Sequence, residues 1–335
     1  DLHRRRHSFP TRRSSDLFHH SNMKKIFLIL IFLTGVLFAN ETIFQSVIKN
    51  VALKDTQSAI NSAKKLQKEL NDENFTKFLK DWKRVEANYL AGEINSDYLD
   101  TPRYIDVFNN LKEDLNSQMQ RVIDGNLDIK KALFKNSFKT INALEYLLYS
   151  SKELNDRKKE IGREILNSII KNLEDIKTVY ETYLKNPIIK DDDNAKLINT
   201  LVASSYRLKE WRIGNPAGFS TKYKNDAKNS RAEYFLSQNS FEAIDSILDA
   251  QKEMIANEGY INLLNLAKDK NATNELEAVI AKIDEAKKEL KSLPKDDFTN
   301  AKKLFDLASQ IHDLYYITII DKLGLKAEIL DADGD

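Results

Sequence analysis

Residues 140–150 read Thr-Ile-Asn-Ala-Leu-Glu-Tyr-Leu-Leu-Tyr-Ser, an apolar helical run that contains two polar side chains. Asn142 and Glu145 are three residues apart, so a helix places them on one face, one turn apart. Leu144 and Leu148 recur at helical spacing beside them, which predicts that this helix lies against a core. A carboxylate in such a position needs a hydrogen-bonding partner, a metal ion or a proton.

The composition of the whole chain favours an all-α fold. Of its 335 residues, 41% are hydrophobic and 31% charged, whereas only nine are Gly and five are Pro. Since β architectures need many turns, this scarcity of turn residues favours long helices. Leu166, Ile169, Leu173 and Ile176 alternate steps of three and four, the pattern of a packing seam in an antiparallel helical bundle.

Periodicity and breaks divide the chain into two helical halves. Pro187 and the run of three Asp residues after it interrupt every pattern. We therefore expect an N-terminal bundle over 40–186, a linker over 187–194 and a C-terminal bundle over 195–335. The predicted helices, besides the one that carries residues 140–150, cover 41–70, 75–91, 103–123, 155–185, 195–213, 241–257, 261–268, 274–293 and 298–323.

The longest irregular segment covers residues 214–238 and contains both Gly and Pro. A functional loop and a simple connection both fit a segment of this length. Asn239 and Glu242, three residues apart, predict a capping box at the start of the following helix.

The first 39 residues are expected to be no part of the working protein. Residues 1–22 have no apolar periodicity, and residues 8–17 resemble translated adapter sequence, so this leader is excluded from the functional argument. Residues 23–39 have the basic start, apolar core and small exit residue of a secretory signal peptide. We expect a periplasmic protein, with secretion or an outer-surface location as the alternative. No other apolar run approaches spanning length, which argues against stable membrane insertion after cleavage.

Charge and cysteine content exclude several classes of function. Seven of the 52 Lys and Arg residues and two of the 51 Asp and Glu residues lie in residues 1–39, so the rest of the chain carries 45 basic and 49 acidic groups. A net charge of −4 does not indicate a nucleic-acid partner. The chain has no Cys, which excludes a disulfide framework, a lipidated cysteine and a thiolate metal site.

Histidine is almost absent beyond the leader. Four of the five His residues precede residue 39, which leaves His312 as the only imidazole of the mature chain. A zincin motif needs two His, and a Ser-His-Asp triad needs one beside a nucleophile. His312 lies on a predicted amphipathic helix, where an imidazole satisfied by its neighbours is the expectation.

Five stretches in consecutive order resemble the imelysin-like family of exported bacterial proteins, whose motif is Gly-x-His-x-x-Glu. Thr140 occupies the glycine position of that motif and Asn142 the histidine position, so only Glu145 keeps the motif residue. The resemblance implies two packed four-helix-bundle domains, export, and a frequent link to iron supply. The family is named for peptidase activity. The five stretches begin at Trp82, Thr140, Trp211, Glu233 and Leu323.

The resemblance and the local spacing together suggest a candidate site. Trp82 and Glu86 are four residues apart, and Arg103 and Asp106 are three apart, so each pair shares a helix face. If the helices that carry these pairs converge on the helix of Glu145, the side chains surround its carboxylate. The predicted ligand-binding residues are Asn142, Glu145, Trp82, Glu86, Arg103 and Asp106.

The change from His to Asn at position 142 weakens the case for catalysis. An amide oxygen is a poor ligand for zinc or iron, so we name no catalytic residue and only Glu145 as a metal ligand, for iron or another hard divalent cation. The expected function is a non-catalytic periplasmic binding component of iron or other metal acquisition, with other iron-uptake components as partners.

Two alternatives to that function stay open. One is a metallopeptidase-like hydrolase, so whether the chain is an enzyme is left undecided. The other is a structural or partner-binding bundle without a metal site, in which Glu145 only fixes the packing register by hydrogen bonds to a Trp, a Tyr or Arg103.

Overall fold

A computed structural model describes residues 41–326, and these residues form helices joined by turns, with no strand among them. The expected all-α class is confirmed. The described helices belong to one compact unit that begins at Ile43. The predicted leader and signal peptide lie outside the described residues.

In the first half, long helices alternate with short turns of helix. A π-helical segment over Ile48–Leu53 joins the first two helices without a break. The α-helices are α1 (Ile43–Val47), α2 (Lys54–Lys68), α3 (Asp72–Ala87), α4 (Ala91–Ile94), α5 (Leu115–Asp124), α6 (Ile129–Ala132), α7 (Ile141–Tyr149) and α8 (Asp156–Lys185).

The second half likewise consists of long helices that alternate with short turns of helix. Two further π-helical segments, Leu208–Gly214 and Leu314–Ile319, continue the helices that precede them. The α-helices are α9 (Asp193–Arg207), α10 (Asn215–Ala217), α11 (Ser240–Ala256), α12 (Leu263–Asp269), α13 (Thr273–Ser292), α14 (Lys302–Asp313) and α15 (Ile320–Lys322).

Helix α3 joins the halves, because it packs against α2 on one side and against α11 on the other. The Asn88 amide donates to the carbonyl of Ala250 at 2.8 Å, and the Ser246 hydroxyl donates to the carbonyl of Lys80 at 2.6 Å. The two bundles are therefore packed together, as the expected fold class states. The division into two domains at a linker over 187–194 stays a prediction.

The helix predicted over 103–123 is wrong in its first half. A 3₁₀ turn over Thr101–Tyr104 is followed by non-helical backbone, and α5 begins only after Asp114, whose carboxylate accepts from the Ser117 N–H at 3.1 Å. The Ile105 carbonyl accepts from the backbone N–H of Ile141 at 2.8 Å. The first N–H of α7 thus pairs with a carbonyl that, in a continuous helix over 103–123, would have accepted from an N–H of the same helix.

The predicted capping box at Asn239 is also wrong, since the Asn239 side chain makes no cap hydrogen bond. The carboxylate of Asp296 caps α11 instead, because its oxygens accept from the N–H groups of Ser240 at 2.9 Å and Phe241 at 2.8 Å. A cap supplied from more than fifty residues away leaves no local sequence signal.

The long segment before α11 folds back into the protein interior. Gly218 has φ of 77°, and a Cβ at this position would lie 2.7 Å from the Ala227 nitrogen, so the turn requires glycine. Beyond it, Glu233, Tyr234 and Ser237 are buried. The segment therefore delivers polar side chains to the boundary between the halves.

Within residues 41–326, no helix has the length and apolar character needed to cross a membrane.

Candidate functional site

Helix α3 supplies the centre of the site. Asn71 starts the helix by accepting from the Asn74 N–H at 2.8 Å. The apolar face then buries Phe75, Phe78 and Trp82. Lys83 follows directly and is 0% exposed, although a lysine is rarely buried without partners.

Three carboxylates from three separate segments surround the Lys83 ammonium. Its Nζ atom donates to Glu86 Oε1 at 2.9 Å, to Asp106 Oδ2 at 3.0 Å and to Glu233 Oε2 at 2.6 Å. An ammonium group has three protons, so all its donors are used.

Arg212 adds a second buried cation. Its Nη2 atom donates to Glu86 Oε1 at 2.6 Å, and its Nε atom lies 3.3 Å from Glu233 Oε1 without the alignment of a hydrogen bond. The guanidinium carbon also lies 5.8 Å from the centroid of the Phe108 ring. We call the five residues Lys83, Glu86, Asp106, Arg212 and Glu233 the buried charge cluster.

Asp106 is the best satisfied carboxylate of the cluster. Besides Lys83, it accepts from the Trp82 indole at 2.9 Å and from the Phe108 N–H at 2.9 Å. Burial alone would raise its pKa, but the Lys83 charge and these two donors lower the pKa of Asp106 to about 2. This carboxylate therefore stays ionised.

The cations of the cluster are held in their charged forms. Burial opposes the charge of Lys83, but Asp106, Glu233 and Glu86 outweigh it and raise the pKa of the ammonium. The cluster contains two cations and three acidic residues, and burial raises the pKa of Glu233 although Arg212 and Lys83 oppose the shift. Arg207 approaches from α9, and burial lowers the pKa of its guanidinium although Glu86 acts in the opposite direction.

Glu145 lies beside the cluster, near enough to be repelled by Glu233 and Asp106. Its Oε2 atom accepts from the Ser237 N–H at 3.0 Å and from the Ser237 hydroxyl at 2.6 Å. Its Oε1 atom has no hydrogen-bonding partner among the described residues and is not fully enclosed. Burial, with repulsion from the two carboxylates, raises the pKa of Glu145 to about 7 despite the Ser237 hydrogen bonds.

Asn142 occupies the motif position where the imelysin-like pattern has His, and it makes a packing contact. Its Oδ1 atom accepts from the Val107 N–H at 2.8 Å, which fixes the backbone directly after Asp106. Thr140, at the motif glycine position, caps α7 by accepting from the Ala143 N–H at 3.3 Å. Both departures from the motif therefore serve the local fold.

The structure brings together most of the predicted site residues. Trp82, Glu86 and Asp106 meet around Lys83, and Glu145 lies next to them. Arg103 is exposed, and the guanidinium in the cluster belongs to Arg212.

Sequence reasoning did not identify Lys83, Arg212, Glu233 or Ser237 as site residues. Arg212 and Glu233 fall within stretches that resemble the family, and this was the available signal. Lys83 had none, because a lysine on a charged helix normally faces solvent.

The imidazole among the described residues, that of His312, lies elsewhere, on α14. His312 Nδ1 lies 3.2 Å from the Ser205 hydroxyl, and the ring stacks on Tyr316 with centroids 5.8 Å apart. Burial lowers the pKa of His312, so the neutral form is favoured. Among the described residues, no group of three His, Cys, Asp or Glu side chains is arranged to hold a metal ion.

Comparison with known proteins identifies related chains. The imelysin family model matches residues 46–319. An imelysin-like protein from Psychrobacter arcticum superposes with a TM-score of 0.71 at 15% identity, covering 84% of this chain and 95% of that one. A structure named as an iron-regulated protein A precursor, from Parabacteroides distasonis, superposes with a TM-score of 0.54 at 13% identity, covering 86% and 91%. No curated protein matches the chain.

Proposed function

The chain belongs to the imelysin family, and on that premise we propose that it is an exported, non-catalytic binding component of iron or other hard-cation supply. The name of the Parabacteroides structure, a precursor of an iron-regulated protein, supports export and a connection with iron. A sequence identity of 13% indicates a shared fold only. The argument that this chain binds a cation therefore rests on the geometry of the site.

The Oε1 atom of Glu145 is the observation that carries the proposal. It is a carboxylate oxygen at the family's motif position, without a hydrogen-bonding partner among the described residues, beside the acidic side chains of Glu233 and Asp106. Carboxylate oxygens are ligands for hard cations. A cation there would keep several waters, because the neighbouring carboxylates are engaged by Lys83 and Arg212. Binding would accordingly be weak and reversible.

The same geometry argues against peptidase activity. Water activation by zinc needs about three good protein ligands and a base beside them. Asn142 points its only acceptor at the Val107 N–H, and His312 packs against Ser205 on α14. We therefore assign no catalytic residue.

One observation favours the alternative of a bundle with no metal site. The Lys83 ammonium already lies among three carboxylates, where a bound cation would otherwise be expected. In a bundle with no metal site, the role of Glu145 is to hold the segment around Ser237 against α7 through its hydrogen bonds.

A thermal-shift titration distinguishes a cation-binding protein from a bundle with no metal site. We expect Fe²⁺ under anaerobic conditions, and Ca²⁺ in parallel, to raise the melting temperature of the protein, with stabilisation of about 2.7 kcal/mol at a hundredfold excess over the dissociation constant. The response should be larger at pH 8 than at pH 6, because the cation competes with the proton of Glu145, whose pKa is about 7.

Glu145→Gln should abolish this response, whereas Glu160→Gln, at an exposed position, should keep it. A response that survives in Glu145→Gln contradicts the assignment of the site. No response to either cation in the unaltered protein leaves the structural bundle as the function.

A further inference from the structure

The segment between α5 and α7 exposes two large apolar side chains. Leu127, before the single-turn helix α6, is 60% exposed, and Phe134, after it, is 72% exposed. Between them, Lys130 and Lys131 are exposed as well. We call the segment over residues 121–139 the basic tip.

The basic tip is held rigidly. The Arg157 guanidinium on α8 donates to the Val122 carbonyl from Nη2 at 2.9 Å and to the Leu127 carbonyl from Nη1 at 2.9 Å. The Phe134 ring packs edge-on against Phe138, with centroids 5.6 Å apart. The two apolar side chains therefore protrude from a fixed backbone.

A cavity of about 310 Å³ opens between these side chains. Its wall contains Leu127, Phe134 and Phe138 and the cations Arg121, Lys135 and Arg157, with no carboxylate among its lining residues. The basic tip as a whole has five Lys or Arg residues and only two acidic ones, Asp124 and Asp128. Its partner should be apolar and anionic.

We propose that the basic tip is a peripheral docking surface for an anionic phospholipid bilayer. Leu127 and Phe134 would enter the boundary between head groups and acyl chains, while Lys130 and Lys131 lie at the level of the phosphates. The cavity between them has room for part of an acyl chain. This proposal is independent of the one for Glu145, which lies in the interior.

Vesicle co-sedimentation tests the proposal with the full chain. We expect the protein to pellet with equimolar phosphatidylglycerol–phosphatidylcholine vesicles and to stay in solution with pure phosphatidylcholine. The Lys130→Glu/Lys131→Glu variant should lower the partition coefficient by about thirtyfold or more, since each lysine near an anionic surface contributes about fivefold. Leu127→Ser/Phe134→Ser should lower it by about tenfold.

Ile188→Ser/Ile189→Ser is the matched control, because these residues are 66% and 64% exposed but precede three Asp residues. It should bind vesicles as the unaltered protein does. Equal loss in the control, or no preference of the unaltered protein for the anionic vesicles, overturns the proposal. Capture of a protein partner through Phe134 in the absence of vesicle binding also overturns it. All six positions are exposed or lie on turns, and circular dichroism checks that each variant is folded.

Discussion

At the scale of single residues, Lys83 determines what the site can bind. A buried ammonium among Glu86, Asp106 and Glu233 supplies the positive charge that those carboxylates need in a medium of low polarity. It also uses the oxygens that a metal ion would take. Among the described residues, Glu145 is paired with neither Lys83 nor Arg212 but accepts from Ser237 alone, and its protonation responds to pH near neutrality because its pKa is about 7.

Glu145 should make the stability of the protein depend on pH. Its pKa is about 7 in the folded protein against 4.5 for an ordinary glutamate, so the protonated form is favoured by folding. The resulting stability is fully present below pH 4.5 and is lost as pH rises through 7, with a total of about 3 kcal/mol. Glu145→Gln keeps a neutral side chain at every pH. We therefore expect the variant to gain up to about 3 kcal/mol relative to the unaltered protein between pH 5 and pH 8.

Urea unfolding at several pH values measures this difference. Glu160→Gln, at an exposed carboxylate, should show a difference that is independent of pH. A constant difference for Glu145→Gln as well would show that Glu145 ionises in the folded protein as it does in the unfolded chain.

At the scale of secondary structure, contacts with distant residues decide where one predicted helix is interrupted and where α11 begins. The backbone around Asp106 leaves the helix that its sequence favours. The Ile141 N–H donates to the Ile105 carbonyl, the Asn142 amide oxygen accepts from the Val107 N–H, and the Trp82 indole donates to the Asp106 carboxylate. Helix α11 starts at Ser240 because Asp296 reaches its first N–H groups.

Removing the remote cap should weaken α11. Asp296 has φ of 56°, in the left-handed region that Asn tolerates and Ala does not. Asp296→Ala should therefore cost about 2 kcal/mol through lost capping and added strain, whereas Asp296→Asn should cost about half as much. Chemical denaturation of both variants provides the measurement. Midpoints that match the unaltered protein for both variants would show that Asp296 does not cap α11 in solution.

At the scale of the whole molecule, the two bundles should unfold together. Helix α3 packs into both halves, and the buried charge cluster draws Lys83 from the first half and Arg212 and Glu233 from the second. Opening the interface would expose unpaired charges, so a state with one half unfolded is costly.

The two tryptophans allow a direct test. Trp82 lies in the first half and Trp211 in the second, and the chain has no others. In Trp211→Phe, fluorescence reports on the first half alone while circular dichroism reports on all helices. We expect the two urea transitions to have the same midpoint. Separate midpoints would indicate that the halves unfold independently.

The sequence by itself determined the fold class, the family and two members of the buried charge cluster, Glu86 and Asp106. Apolar spacing and the scarcity of Gly and Pro predict packed helices, because the 3.6-residue period is a local property. The Trp82–Glu86 pair, Asp106 and the motif Glu145 were found from local spacing and resemblance. Trp82, Glu86 and Glu145 lie on helices whose amphipathic pattern can be read along the chain, whereas Asp106 lies on non-helical backbone where the spacing predicted a helix.

Only the tertiary structure decided the chemistry of the site. Lys83 meets Glu233 across 150 positions of sequence, Glu145 meets Ser237 across 92, and no local pattern specifies such pairs. Burial then sets the charge states, since the same side chains in water would be ordinary surface ions. Whether a lysine is a surface charge or the centre of a buried cluster depends on which segments pack around it.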